Sequence, residues 1–366
     1  MKKTFVVAIA LGTAFVAPPG RGEQRPAPAV DQPVEILPVH GSIFMIAGAG
    51  GNITASVGKD GVLLVDTGLA NMSDKVLDAV RQLQRQMHVK EPALDLRWGA
   101  ETRGTLQSSL NPFGPPKPIR YVINTHFHAD HVGGNEKIAK AGRTFTGGNV
   151  AGDIADAGQG AAILAYENTL NHMSAPTGAQ ASTPERAWPT DTFHHESMKL
   201  SHFFNGDGVQ IVHIPNAHTD GDVIVYFRGS DVIASGDIFQ MTTYPFIDVD
   251  HGGTINGIIE GANRMLDIVI PEFRMEGGTM LVPGHGRLSD GGDLAYYRDM
   301  LTIIRDRVQA LIKQGKTLEQ VNAAKVTADY DPRWGVTSSA WSTDRFAAAV
   351  YTTLQPSAAG SKKKSQ

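Results

Sequence analysis

The sequence predicts an α/β protein: two β-sheets face to face, with helices on the outside. Three observations lead there. Short apolar runs rich in Val, Ile and Leu recur along the chain, and stretches of helical period divide them into two groups. His or Asp residues stand again and again just past the apolar runs, where a rigid scaffold can present side chains into a cleft.

The elements follow in order. From Val34, VEILPVHGSIFMIAG and NITASVG alternate or run apolar, and GVLLVDTG (Gly61–Gly68) is a short apolar strand ended by Asp-Thr-Gly. Val76, Leu77, Val80 and Leu83 predict a helix over Ser73–Gln86. His88 to Pro118 carries five prolines and little periodicity. A structureless stretch of that length is either functional, here a cover over a cleft, or a disordered insertion. IRYVIN (Ile119–Asn124) is a strand opening onto THFHADHVGGN. Beyond it, Gly133–Gly142 reads as a short helix, Thr144–Thr146 as a strand and Ala151–Leu170 as a helix. MKLSHFF and VQIVHIP read as strands joined by a GDG turn. DVIVYF and DVIASGD follow, then a helix over Thr254–Val269 and a short strand in TMLVPGHG. Leu294, Tyr297, Leu301, Ile304, Val308 and Leu311 make Asp293–Gln314 the clearest helix. Leu318–Lys325 and Asp344–Leu354 close the fold, the latter with Thr343 as N-cap.

These elements place one hydrolase-sized domain over residues 34–355. Before it, Lys2, Lys3 and the apolar run Phe5–Ala17 have the form of a secretory signal over residues 1–17, too short to span a bilayer. An uncleaved anchor is the other reading of that segment. Residues 18–33 are Pro-rich and polar, a disordered leader, and residues 356–366 are a frayed basic tail. Export to the periplasm or outside the cell is the expectation. The net charge of −4 leaves no basic field for nucleic acid. The absence of cysteine removes thiol nucleophiles, thiolate zinc sites and iron–sulfur clusters together.

The chemistry concentrates at His126-Phe127-His128-Ala129-Asp130-His131, four donors within six residues. The i, i+2 spacing puts His126 and His128 on one side of an extended segment, and imidazole with carboxylate is a divalent-metal set. His218 in PNAHTDGD, Asp237 in VIASGD and His285 in VPGHG each follow a β-run, so all three are candidates for the same sheet edge. Asp66 either orients a ligand or merely makes a turn. Tyr244, His251 and Asn216 lie near ligands in sequence and are candidate substrate contacts. His88, His172, His194, His195, His202 and His213 read as solvent or core histidines.

DTG at Asp66–Gly68, HFHADHVGG, AHTDGD, SGD and PGHG, in that order, resemble the metallo-β-lactamase superfamily from about Val34 to His285. The resemblance implies an αββα sandwich binding one or two metals between the sheets. It implies that His126, His128 and His218 hold one ion, that Asp130, His131 and His285 hold the second, and that Asp237 bridges them. It further implies two Zn2+ per chain, with iron or manganese as alternatives, and Asp130 as the candidate catalytic residue. The implied activity is a zinc-dependent hydrolase of a small molecule, β-lactamase-like, in which a hydroxide between the ions attacks the carbonyl of a β-lactam amide, ester or lactone. Lactamases with a Cys ligand are excluded, and the histidine-rich lactamase subgroup usually lacks an acid at the Asp237 position. Asp237 instead resembles the bridging residue of glyoxalase-II-type thioesterases and lactonases, although the basic residues of glutathione thioesterases are not apparent. A mononuclear-iron sulfur dioxygenase is the remaining alternative.

Overall fold

A computed structural model describes residues 33–90, 118–144, 160–175, 183–200, 202–269, 278–337 and 340–355. The proposed signal, most of the leader, nearly all of the Pro-rich stretch after His88, the strand expected at Thr144–Thr146 beyond its first residue, and the basic tail lie outside them.

Seven strands form the first sheet in simple sequence order: β1 (Glu35–Pro38), β2 (Ile43–Ala47), β3 (Ile53–Gly58), β4 (Gly61–Val65), β5 (Ile119–Ile123), β6 (Ala162–Tyr166) and β7 (Asp191–Phe193). The first four pair antiparallel, and β4 to β7 pair parallel. The second sheet runs β13-β12-β11-β10-β9-β8, from β8 (Ser197–Lys199), β9 (Val209–His213), β10 (Val223–Phe227), β11 (Val232–Ala234), β12 (Met280–Val282) and β13 (Ser289–Asp290).

Alternation along the strands builds three apolar layers. Leu63 and Val65 point inward to meet Val209, Ile211, Val223 and Val225 of the facing sheet. Their neighbours Val62 and Leu64 point outward, under Val76, Val80 and Leu83 of α1 (Ser73–Lys90). A one-residue slip would exchange the two sets. On the far side, Val212, Ile224, Ile233 and Leu281 lie beneath a helical layer contributing Ile258, Leu301, Ile304 and Phe346. The result is helix, sheet, sheet, helix.

The short helical pieces α2 (Ala129–Val132) and α3 (Asn135–Lys140) follow β5, and α4 (Glu167–Ser174) follows β6. The second layer is α5 (Ile255–Ile268), α6 (Gly291–Lys313), α7 (Leu318–Ala323), α8 (Asp331–Trp334) and α9 (Thr343–Leu354). Thr254 caps α5, and Asp290 caps α6 by accepting the Asp293 N–H. No described helix is long and apolar enough to cross a membrane.

Three local expectations need correction. Within Ala151–Leu170, Ala162–Tyr166 is strand and α4 begins only at Glu167. The run AILAY is apolar on both faces, as a strand inside a parallel sheet requires, and so short a run carries no periodicity of its own. The turn after Phe204 centres on Asn205-Gly206, both with φ > 0 and closed by a Phe204–Asp207 bridge, one residue earlier than GDG. Ser342, rather than Thr343, caps α9 by accepting the Arg345 N–H.

Candidate metal centre

Five chain segments meet at one edge of the sandwich, each just past a strand. Asp66 follows β4, the His126–His131 run follows β5, His218 lies between β9 and β10, Asp237 follows β11, and His285 follows β12. His126 and His128 remain extended, and the chain then turns into α2, which swings Asp130 and His131 toward the second sheet. Cross-links pin the edge. Gly51 N–H donates to Asp130 O at 2.9 Å, Asn52 N–H donates to Gly284 O at 2.7 Å, and Asn52 Nδ2 donates to Pro283 O and Gly286 O at 2.9 Å.

The seven donors named from the sequence are brought together here. Donor atoms of His126, His128 and His218 lie within 4.8 Å of one another, as do those of Asp130, His131 and His285. A third group, His126, His131 and Asp237, ties the two trios. Asp237 faces both sides: Oδ1 is 3.2 Å from His131 Nε2 and 3.4 Å from His285 Nε2, while Oδ2 is 3.9 Å from His218 Nε2. Asp130 Oδ2 is 3.2 Å from His285 Nε2. His126, His131 and His218 are fully buried, whereas the His128 and Asp130 side chains are 17% and 23% exposed, so the open side lies at those two.

Outer hydrogen bonds choose which nitrogen faces inward. His131 Nδ1 donates to Asp66 Oδ2 at 2.8 Å, and His218 Nδ1 donates to Phe246 O at 2.7 Å, leaving both Nε2 atoms free. His126 Nδ1 is 3.0 Å from Thr125 Oγ1, which itself donates to Asp66 Oδ2 at 2.7 Å. Asp66 thus supports two imidazoles, and it does so from a left-handed backbone, φ 66°, a strain that the surrounding bonds over-determine. Of its two sequence readings, the orienting one matches this geometry.

The donors fit divalent metal on physical grounds. His126 Nε2 and Asp237 Oδ1 are buried with no hydrogen-bond partner, an arrangement costing about 1–3 kcal/mol for each such atom unless something binds there. His128 Nδ1 and His218 Nε2 face each other at 2.9 Å, and His131 Nε2 and His285 Nε2 at 3.4 Å, pairings that a shared cation explains. The electrostatics agree. Burial and the neighbouring imidazoles push His126 well below its usual pKa, keeping its lone pair available. Burial works to raise Asp237, but His285 and His131 beside it hold it well below the carboxylate range. Burial likewise opposes ionised Asp130, and His131 and His285 outweigh it.

The candidate substrate contacts fare differently. Tyr244 is a core residue: its hydroxyl donates to Asp331 Oδ1 at 2.9 Å and its ring stacks on Phe346. Burial and Asp331 raise its pKa. Asn216 donates to Gly252 O and holds a loop. His251 does reach the neighbourhood, through Asp248. Asp248 itself was not among the residues singled out from sequence. It sits in the stretch IDVDHGG, where an acid three residues before a His and followed by two glycines was the available signal. His172 pairs with Asp220 at 2.7 Å, and His213 stacks on Tyr166, in keeping with structural roles.

An αββα sandwich with paired histidine and carboxylate donors at its edge defines a class of metal-dependent hydrolases. The chain belongs to the metallo-beta-lactamase superfamily, whose family pattern matches residues 47–286. Among curated relatives, the linear primary-alkylsulfatase of Pseudomonas sp. (strain ATCC 19151) is 24% identical over 246 residues, 59% of this chain and 45% of that protein. The metallo-beta-lactamase type 2 of Bacillus cereus is 22% identical over 185 residues, 50% of this chain and 59% of that one. Among solved structures, the stereoselective inverting sec-alkylsulfatase Pisa1 from Pseudomonas sp. superposes with a TM-score of 0.55 at 18% identity, over 88% of this chain and 50% of that chain. The chain therefore spans about half the length of the curated relatives it matches.

Proposed function

We infer that this superfamily hydrolase holds two zinc ions and cleaves the carbonyl bond of an ester, lactone or amide, β-lactams included. The observation that carries the reading is the pair of donor trios joined by Asp237, with its two carboxylate oxygens turned to opposite sides. His126, His128 and His218 would hold one ion, and Asp130, His131 and His285 the other. Divalent ions there supply Lewis acidity toward the substrate oxygen and activate water at neutral pH.

The chain's own groups do the rest. Buried His126, His131 and His218 close the inner side to solvent. Asp66, Thr125 and Phe246 O keep three imidazoles in fixed tautomers, so no reorganisation is needed as charge develops. Asp130, ionised and at the open side, is placed to receive a proton at Oδ2, with His285 beside it to stabilise the change. No Ser or Cys nucleophile is required, which suits a chain without cysteine.

Sulfate-ester hydrolysis is the second reading, favoured by the alkylsulfatase among the curated relatives. A panel of nitrocefin, a thioester, a lactone, a phosphodiester and an alkyl sulfate, each with and without added Zn2+, separates the two. Zinc-dependent turnover of a carbonyl substrate supports the first reading, and turnover of the alkyl sulfate alone replaces it with the second. One iron per chain with no hydrolysis would favour oxidation chemistry over both.

A further inference from the structure

Asp248 belongs to neither donor trio, yet it touches one of them closely. Its Oδ2 lies 2.9 Å from His128 Nε2 and 2.8 Å from His251 Nδ1, and its side chain is only 10% exposed. Its backbone N–H donates to His218 O at 3.0 Å. Two residues earlier, Phe246 O accepts the His218 Nδ1 proton. One short segment, Phe246–Gly253, therefore holds both His128 and His218 by their outer atoms.

The consequence for His128 is specific. An ionised carboxylate only accepts hydrogen bonds, and burial notwithstanding, the bonds from His128 and His251 hold Asp248 well below the usual carboxylate range. His128 Nε2 must then carry the proton, which leaves the Nδ1 lone pair facing His218 Nε2. His126, His131 and His218 show the opposite arrangement, Nδ1 outward and Nε2 inward. The segment that imposes this is itself fixed. His251 N–H donates to Asp248 Oδ1, Gly253 N–H donates to Asp248 O at 2.8 Å, and Gly252 takes a left-handed φ of 82°.

We propose that Asp248 is the positioning residue of the His126–His128–His218 trio, setting its affinity for a divalent ion separately from the Asp130–His131–His285 trio. The proposal rests on the donors being metal ligands, and its test tells the two claims apart. The metal-stripped full-length chain is titrated with Zn2+ against a chromophoric chelator, and with Co2+ by visible absorption. The variants are Asp248→Asn, His128→Ala and the two combined, with thermal unfolding of each apo chain alongside.

Asp248→Asn should weaken one of the two ions by about 10–100-fold, the range for losing an outer partner of a ligating His, and leave the other unchanged. The double variant should bind no more weakly than His128→Ala, because Asp248 acts through His128. Unchanged binding of both ions in Asp248→Asn overturns the proposal. So does a double variant weaker than His128→Ala by the full Asp248→Asn factor, which would mark a general structural support. If His128→Ala itself binds two ions like the wild type, the ligand reading fails first. Should Asp248→Asn not fold, Asp248→Glu, which keeps the acceptor on a longer arm, enters the same cycle.

Discussion

Alanine at position 284 should damage the metal centre from behind without touching a ligand. A Cβ on Gly284 would run into Asp237 Oδ1 and lie 2.7 Å from the carbonyl carbon and oxygen of Gly236. The residue cannot back away. Its N–H donates to Gly236 O at 2.9 Å and Phe239 O at 3.0 Å, and its carbonyl accepts from Asn52 N at 2.7 Å. Relief to ordinary contact needs a movement on the order of 1 Å, shared between the strand ends and the Asp237 carboxylate, and overpacking of this kind costs about 1–3 kcal/mol. At about 2–4 °C per kcal/mol, Gly284→Ala should lower the unfolding midpoint by roughly 2–12 °C. A displacement of about 1 Å at a reacting centre can cost ~100-fold in rate, or about 2.7 kcal/mol of transition-state stabilisation. Gly315→Ala is the matched control. Gly315 follows α6 with φ 72° and open space around it, so alanine there meets only backbone strain of about 1–2 kcal/mol. Differential scanning and steady-state kinetics on whichever panel substrate the wild type turns over should find both variants destabilised and only Gly284→Ala slow. Equal turnover in the two variants would refute the packing argument.

Other expectations concern the donors and their supports. His126→Ala should lose bound metal and reduce hydrolysis at least ~1,000-fold, measured by elemental analysis beside kinetics, because a buried ligand is removed from the closed side. Asp237→Ala should keep one ion while turnover falls steeply; retention of two at wild-type affinity would remove it as a bridge. Asp66→Ala should weaken metal binding and lower the unfolding midpoint, since Thr125 N–H, Thr125 Oγ1 and His131 Nδ1 all lose their acceptor. Each hydrogen bond to that charged group is worth about 1.5–3 kcal/mol.

What the sequence made legible follows from how the information is written. HFHADH compresses four donors into six residues at a strand end, so residue type and period suffice to locate them. His218, Asp237 and His285 were legible because each stands just past an apolar run, and the sheet order brings those ends to one edge. Asp248 was not, since its role comes from a 2.9 Å contact across 120 residues that no local period encodes. Tyr244 misled for the reverse reason: closeness in sequence to Asp237 does not prevent its ring from turning into the helical layer against Phe346. Strand β6 was hidden because five apolar residues satisfy a buried strand or a helix equally well, and only pairing with β5 and β7 decides.

The most direct test of a two-metal centre is the number of zinc ions bound per chain, measured by elemental analysis after the stripped protein is dialysed against buffered Zn2+. Two donor trios predict about two ions in the wild type, about one in His285→Ala and about one in His128→Ala, as expected of a site sharing its metals through a common carboxylate. A wild-type chain that saturates at one ion, or one whose zinc content neither substitution changes, would contradict the account.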